Sequence, residues 1–313
     1  MSVKLRAAAC SNKGRIRQNN EDNFCLNGHI MQREEMDRGG LFKCSVRPNT
    51  IFAVCDGMGG EDAGENASLL SAQMCAQALQ TGKHLEDEEQ MRRFLHEGCE
   101  AVYQQAQRNG DHSGATMALV YAHQDRLCIA NMGDSRIYRI SEEGMEQVSV
   151  DHTEMRRLLN NGSITPADIS THPHRHMILQ YWGMPLEIAD FQPHINAFPY
   201  VNGERYLLCS DGLTDMLSDQ EIESIVSGDK PVESLCSNLI SSALKHGGRD
   251  NVTVLVLEVV KTEEQTDKAH IQNAGEAERL LRLQRQKKRL VALMALLCAG
   301  DAALAAAWLM RLL

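Results

Sequence analysis

Two apolar rhythms alternate along the chain. Short aliphatic and β-branched runs occupy residues 5–10, 51–55, 116–121, 127–130, 137–140, 206–209 and 252–260, and Asn-Gly, Asp-Gly and Gly-Asp pairs stand in many of the gaps. Runs of this length bounded by turn residues predict strands. Residues 65–80, 88–108 and 231–244 instead carry Ala, Leu and Met at helical spacing, and 219–226 reads as a short helix capped by Ser218. Strands next to strands with helices inserted predict an α+β layered domain rather than a doubly wound parallel sheet. No internal repeat is evident. Residues 151–198 are polar and rich in His and Pro, and read as a surface excursion, a flap over a site.

The pattern changes after Val260. Residues 261–275 are polar and charged, as linkers are. Residues 276–289 can continue as a helix ending in the basic cluster Arg285, Lys287, Lys288 and Arg289. Residues 290–310 are then apolar apart from Gly300 and Asp301, a length suited to one bilayer crossing. The expected layout is a folded domain over 1–260, a charged linker and juxtamembrane helix over 261–289, and a transmembrane helix over 290–310. Basic residues flanking the span on its N-terminal side would keep the domain in the cytoplasm, on the inner face of the membrane. Asp301 near the centre costs about 2.5–3.5 kcal/mol, which roughly twenty apolar residues can absorb. The other reading is an Ala-rich helix that docks on the body or dimerises.

The formal charge of −10 is unevenly spread. From Lys261 onward nine Lys/Arg stand against six Asp/Glu; the first 260 residues hold 23 against 36, a net of −13. An acidic body argues against a nucleic acid partner and fits a cleft that collects cations. The ten cysteines are scattered with no CxxC pair, and Cys55, Cys128 and Cys209 fall inside apolar runs as core residues. A reducing compartment is expected. Residues 1–10 hold no long apolar stretch, so no secretory signal is expected.

Three carboxylates sit where apolar runs meet turns. Asp56-Gly57 ends one run, Asp211-Gly212 ends another, and Asp250-Asn251 precedes a third. A carboxylate beside a buried strand is costly unless something neutralises it. A shared hard cation such as Mg²⁺ or Mn²⁺ would do so, since such ions take oxygen ligands. Two ions bridged by a carboxylate and a water support in-line displacement at phosphorus. The bland reading of each Asp-Gly alone is a turn. A fourth cluster, Arg17-Gln-Asn-Asn-Glu21-Asp22-Asn23, sets a cation beside two carboxylates, where Arg17 could clamp a phosphate in a fork.

These residues resemble the metal-dependent protein serine/threonine phosphatases, the PPM or 2C-type family, in its bacterial form. The likeness is carried by Arg17 to Asn23, Val54-Cys-Asp-Gly-Met-Gly-Gly60 with Ala63-Gly-Glu65, Ser113-Gly-Ala-Thr116, Asn131-Met-Gly-Asp-Ser-Arg136 with Tyr138, Asp151-His152, Gly162-Ser-Ile-Thr165, His172-Pro173, Leu208-Cys-Ser-Asp-Gly-Leu-Thr-Asp215 and Arg249-Asp-Asn-Val-Thr253, in the family's order over roughly residues 4–260.

The resemblance implies a four-layer α-β-β-α sandwich of two antiparallel sheets flanked by helices, to which the sequence adds the C-terminal hydrophobic helix. It implies hydrolysis of phosphoserine and phosphothreonine by a hydroxide bridging two Mn²⁺ or Mg²⁺ ions. Asp56 would be the bridging ligand, Asp211 and Asp250 ligands of the first ion, and the Gly57 carbonyl a ligand of the second. Glu21 and Asp22 would act through water, Arg17 would bind phosphate, and Asp134 with Asp211 would form a third, weaker site. Phosphoproteins made by an opposing Ser/Thr kinase would be the partners.

The chain departs from the family at a few positions. Met58 stands where animal-type members carry a His that could serve as general acid. Glu61 stands where bacterial relatives often show His, His176 where Asn is frequent, and Gln180 where Arg is frequent. A catalytically inactive, membrane-tethered phosphoprotein sensor or scaffold of the same fold is the alternative, and a phosphatase for a small phosphometabolite a third reading. Alternating His172, His174 and His176 would face one way on an extended chain, as a transition-metal site requires, or belong to the flap motif. Gly57, Gly59 and Gly60 precede a helix, but no GK[ST] follows, which excludes a P-loop. Asp151-His152 reads as acid/base chemistry or as a structural turn.

Overall fold

Phe52 and Val54 leave their strand on one side and Ile51, Ala53 and Cys55 on the other, and all five are fully buried. Burial on both faces explains why the central strands read as unbroken apolar runs rather than as alternating ones. The computed structural model describes residues 2–59, 63–186 and 190–262.

In chain order the elements are β1 (Ser2–Asn12), β2 (Asp22–Leu26), α1 (Arg33–Met36), β3 (Gly40–Val46), β4 (Thr50–Met58), α2 (Ala63–Gln80), α3 (Glu88–Asn109), β5 (Gly114–Ala115), β6 (Met117–Ala122), β7 (Arg126–Met132), β8 (Arg136–Ser141), β9 (Gly144–Gln147) and α4 (Glu154–Asn160). A 3-10 turn at Pro166–Thr171 follows, then β10 (His194–Pro199), β11 (Arg205–Cys209), α5 (Asp211–Thr214), α6 (Asp219–Val226), α7 (Val232–Lys245) and β12 (Val252–Thr262).

They build two antiparallel sheets, one in the order β3-β1-β12-β11-β8-β9, the other β10-β7-β6-β4-β2 with β5 paired to β4. The sheets meet through Leu5, Phe24, Phe52, Val120, Leu208 and Leu255. α2 and α3 cover the outer face of the β4 sheet with Ala67, Cys75, Phe94 and Leu95. α6 and α7 cover the outer face of the β11 sheet, where Ile222, Leu235 and Leu239 pack with Leu207, Val254 and Val256. The layers therefore run α-β-β-α. Local signals agree: Asp87 caps α3 at 2.8 Å from the Gln90 N–H, Gly110 closes that helix at φ 75°, and Ser218 with Glu221 forms a capping box on α6.

Within residues 2–262 every strand run and helical stretch read from the sequence is present, but β2, β3, β5, β9 and β10 and the short helices α1, α4 and α5 were not anticipated. The excursion expected over 151–198 is therefore too long: His194–Pro199 pairs with β7 as an edge strand, half exposed and without an apolar run. The excursion is also anchored, since Trp182 is fully buried and bridges to Ala115. Residues 173–176 form a turn, so the three histidines do not align along an extended chain. Gly60, Glu61, the linker beyond Thr262 and the hydrophobic stretch 290–310 with Asp301 lie outside the described residues. Among the described residues no helix is long and apolar enough to cross a membrane.

Candidate active site

The strand ends of both sheets deliver carboxylates to one cleft. Asp56 and Gly57 come from β4, Asp211 opens α5 just after β11, Asp250 precedes β12, and Asp134 lies in the turn between β7 and β8. The loop after β1 adds Arg17 and Glu21, and the flap adds His176 and Ile178. These residues line a cavity of about 430 Å³, together with Met58, Asp215 and Asn251.

Hydroxyl and amide groups behind the cleft fix its walls. Thr116 Oγ1 accepts from the Asp56 N–H at 3.0 Å and meets Ser135 Oγ at 2.7 Å. Ser210 Oγ donates to Asp22 Oδ2 at 2.7 Å and accepts from the Thr253 N–H at 3.0 Å. Asn251 ties the Arg17 loop down: its Nδ2 donates to the carbonyls of Lys13 and Asn19 at 2.9 and 2.8 Å, and its Oδ1 accepts from the Glu21 N–H at 2.8 Å. Gly57 is required for close approach, since a Cβ there would lie 2.1 Å from the Gly64 carbonyl oxygen.

The electrostatics are those of crowded carboxylates, half-buried in the cleft with the fully buried Asp22 behind them. Burial raises the Asp56 carboxyl well above the usual range, and Asp22, Asp211, Asp134 and Asp250 push it further. Burial first, and then Asp211, Asp151 and Asp215, lift Asp134 to about 8. Asp22 is raised to about 7 and Asp211 to about 6, again mainly by burial. Arg17 answers part of this charge: its Nη2 donates to Asp250 Oδ2 at 2.7 Å and its Nη1 lies 3.8 Å from Glu21 Oε2.

This donor set fits hard divalent cations. Six carboxylates line the cavity beside Arg17 and His176, and Asp22 Oδ1 behind it is buried with no hydrogen-bond partner. Among the described residues, no three His, Cys, Asp or Glu side chains stand as a ready-made ion cage. Arg17 instead holds Asp250, and Asp211 stands close enough to Asp56 to push its carboxyl up. Carboxylates round one cavity with no cation between them repel one another and draw on whatever protons and cations are near.

Of the residues singled out in the sequence, Arg17, Glu21, Asp56, Gly57, Asp134, Asp211 and Asp250 line the cavity. Asp22 lies behind it, fully buried. Asp151 and His152 are structural: Arg136 Nη2 donates to Asp151 Oδ2 at 2.7 Å, and His152 exchanges backbone and ring contacts with Gly133. His172 and His174 stand outside the cavity lining, with ring centroids 5.7 Å apart. His176 reaches the cavity, where its Nε2 accepts from Arg175 Nε at 2.8 Å. The clamp made by Asn251 and the places of Asp215 and His176 were not anticipated; only the Arg249 to Thr253 motif hinted at the first.

Residues 9–164 match the family model described as protein phosphatase 2C. The serine/threonine phosphatase stp of Listeria innocua is 30% identical over 256 residues, 79% of this chain and 93% of its own length. The serine/threonine protein phosphatase PstP of Mycobacterium tuberculosis is 32% identical over 269 residues, 83% of this chain and 46% of that protein. The crystal structure of the catalytic domain of a serine threonine protein phosphatase PstP in complex with two manganese ions superposes with a TM-score of 0.67 at 29% identity, covering 83% of this chain and all of that one. With this identity over nearly the whole length of the Listeria protein, the chain belongs to the protein phosphatase 2C family.

Proposed function

We propose that the chain is a metal-dependent protein serine/threonine phosphatase acting on phosphoserine and phosphothreonine. The observation that carries this is the single cavity walled by Asp56, Asp134, Asp211 and Asp250 with Arg17 at its edge. Asp56, Asp211, Asp250 and the Gly57 carbonyl would hold two Mn²⁺ or Mg²⁺ ions, and Asp134 with Asp211 a third, weaker one. Bound ions of this kind supply an activated water at neutral pH and offset charge on the phosphoryl oxygens.

The chain's own residues do the rest. Arg17 presents a planar fork suited to phosphate oxygens and exchanges its Asp250 contact for substrate. Asn251 fixes the loop that carries Arg17 and Glu21. Asp22, held by Ser210, keeps the floor of the cleft negative from behind. Met58 has no proton to give a leaving alkoxide, so protonation falls to water or to another group on the cavity wall. The intact acidic set argues against an inactive scaffold.

The partners in this reading are phosphoproteins made by a Ser/Thr kinase. Residues 1–260 act as the phosphatase domain, 261–289 as a charged linker, and 290–310 as a helix anchoring it to the inner face of the cell membrane. Length and the basic flank support the anchor. The test is hydrolysis of an aryl phosphate and of a phosphothreonine peptide by the full chain with Mn²⁺. Turnover that disappears with chelator and in Asp211→Ala is expected. Turnover surviving Asp211→Ala refutes the ligand assignment, and none in the folded parent protein refutes the phosphatase.

A further inference from the structure

The strands that end at the carboxylate cleft begin, at their other end, on a basic surface. Lys4 and Arg6 are exposed on β1, and Lys43 and Arg47 on and just after its neighbour β3. The register pairs Arg6 with Ser45 and Ala8 with Lys43, so Arg6 and Lys43 share a face. With Arg205 and Lys230 they border and extend a groove of about 570 Å³. α7 starts at Val232 and packs on Ala8 and Val254, leaving this end of the sheet open.

Three acids face the groove. Glu258 is taken by Arg6 and Arg205, Glu233 by Lys43, and Asp229 lies at the rim. The six cations leave the surface net positive on a body whose first 260 residues are strongly acidic. The separation from the cleft follows from the strand. Asp250 marks the cleft and Glu258 the groove, eight residues apart on extended chain, or about 26 Å at roughly 3.3 Å per residue.

We propose that this surface rests on anionic phospholipid headgroups and holds the cleft facing away from the bilayer. Charge complementarity is the first argument. The second is where the described chain ends. β12 leaves the sheet at Thr262, beyond Glu258 on the groove side, and the sequence then leads to Arg285, Lys287, Lys288 and Arg289 and the apolar stretch 290–310. Twenty-seven residues, 263–289, separate β12 from that apolar stretch, and a coil of that length has a reach of about 30 Å, beyond the roughly 8–10 Å range of surface charge. A basic face closes that gap, whereas the carboxylate end is repelled by the same lipids.

The test uses residues 1–262, because Ser2–Lys261 form one compact unit and the PstP catalytic domain matched by 83% of this chain was crystallised as a domain. Without the tail, the result is independent of the anchor. In flotation assays the fragment should bind vesicles of phosphatidylcholine with phosphatidylglycerol, ignore phosphatidylcholine alone, and be released by high salt. At roughly fivefold per basic residue lost, and with repulsion of the new carboxylates added, Lys4→Glu/Lys43→Glu/Arg47→Glu should weaken partition by about a hundredfold or more. Arg92→Glu/Arg93→Glu on α3 should bind as the parent does. Aryl phosphatase turnover in solution should be the same in all three, which separates this proposal from the catalytic one. Equal binding to neutral vesicles, no binding, or an unaffected triple variant overturns it. Retention on polyglutamate without vesicle binding also overturns it and assigns the surface to an acidic protein.

Discussion

Asp22 and Asp56 are direct register partners across β2 and β4. Like charges at paired positions destabilise a ladder, and burial adds to the cost. Asp22 also leaves Oδ1 without a hydrogen-bond partner. Above about pH 7, where Asp22 is ionised, Asp22→Asn should therefore stabilise the metal-free protein by about 1–3 kcal/mol, since it removes a buried charge facing other charges. The same change should weaken Mn²⁺ binding, because it takes one negative charge from the floor of the cleft. Urea unfolding in chelator, paired with Mn²⁺ titration by calorimetry, measures both. Loss of stability in the metal-free protein would mean that the carboxylate is not under electrostatic strain.

Arg17 is half exposed and bound to Asp250 at 2.7 Å. A phosphate-binding guanidinium should act on substrate rather than on the fold. Arg17→Ala should lower kcat/KM about 10²-fold, with a weaker competitive effect of inorganic phosphate. Arg17→Lys should recover only part of this, because an ammonium lacks the planar fork. Steady-state kinetics on an aryl phosphate decides it. A variant that loses Mn²⁺ affinity while keeping its KM would make Arg17 a partner of Asp250 and nothing more.

Asn251 joins three separate backbone groups of the loop that carries Arg17 and Glu21. Asn251→Ala leaves two carbonyls and one N–H without their partner in a buried spot. About 2–4 kcal/mol of stability should be lost, with a fall in activity larger than the unfolded fraction explains. Asn251→Asp keeps the acceptor and loses both donors, so it should fall between. Denaturant midpoints set beside turnover at a temperature where both variants stay folded test the pair.

The sequence made the central sheet readable because residues such as Phe52 and Ile51 are buried on opposite faces of one strand. Half-exposed edges gave no such run: β3 alternates, and β10 buries little. Asp56 and Asp211 stood out because a carboxylate and a glycine follow an apolar run. Asn251 did not, since a turn asparagine looks the same whatever its amide donates to. The part played by His176 depends on how 151–193 folds back over the cleft, and that is set by the burial of Trp182 against Gly98, a contact between distant segments. Motif order located the acids, while tertiary packing chose their neighbours.

The raised carboxyls tie stability to pH. Asp211, Asp22 and Asp134 are raised to about 6, 7 and 8 in the folded protein, above the ordinary range near 4. A group whose folded pKa lies above its unfolded one favours the fold while protonated. That contribution is complete below the unfolded pKa and is lost as pH rises through the folded one. The metal-free protein should therefore lose stability as pH rises from about 4 to about 8. Divalent ions need the carboxylates ionised, so their binding should release protons and tighten over the same interval. Thermal unfolding with chelator should give a Tm that falls across this range, and saturating Mn²⁺ should flatten or reverse the slope. Calorimetry in buffers of different ionisation enthalpy counts the protons released. A Tm with chelator that is flat from pH 4 to 8, or Mn²⁺ binding without proton release, would show that these carboxyls are already ionised in the metal-free fold.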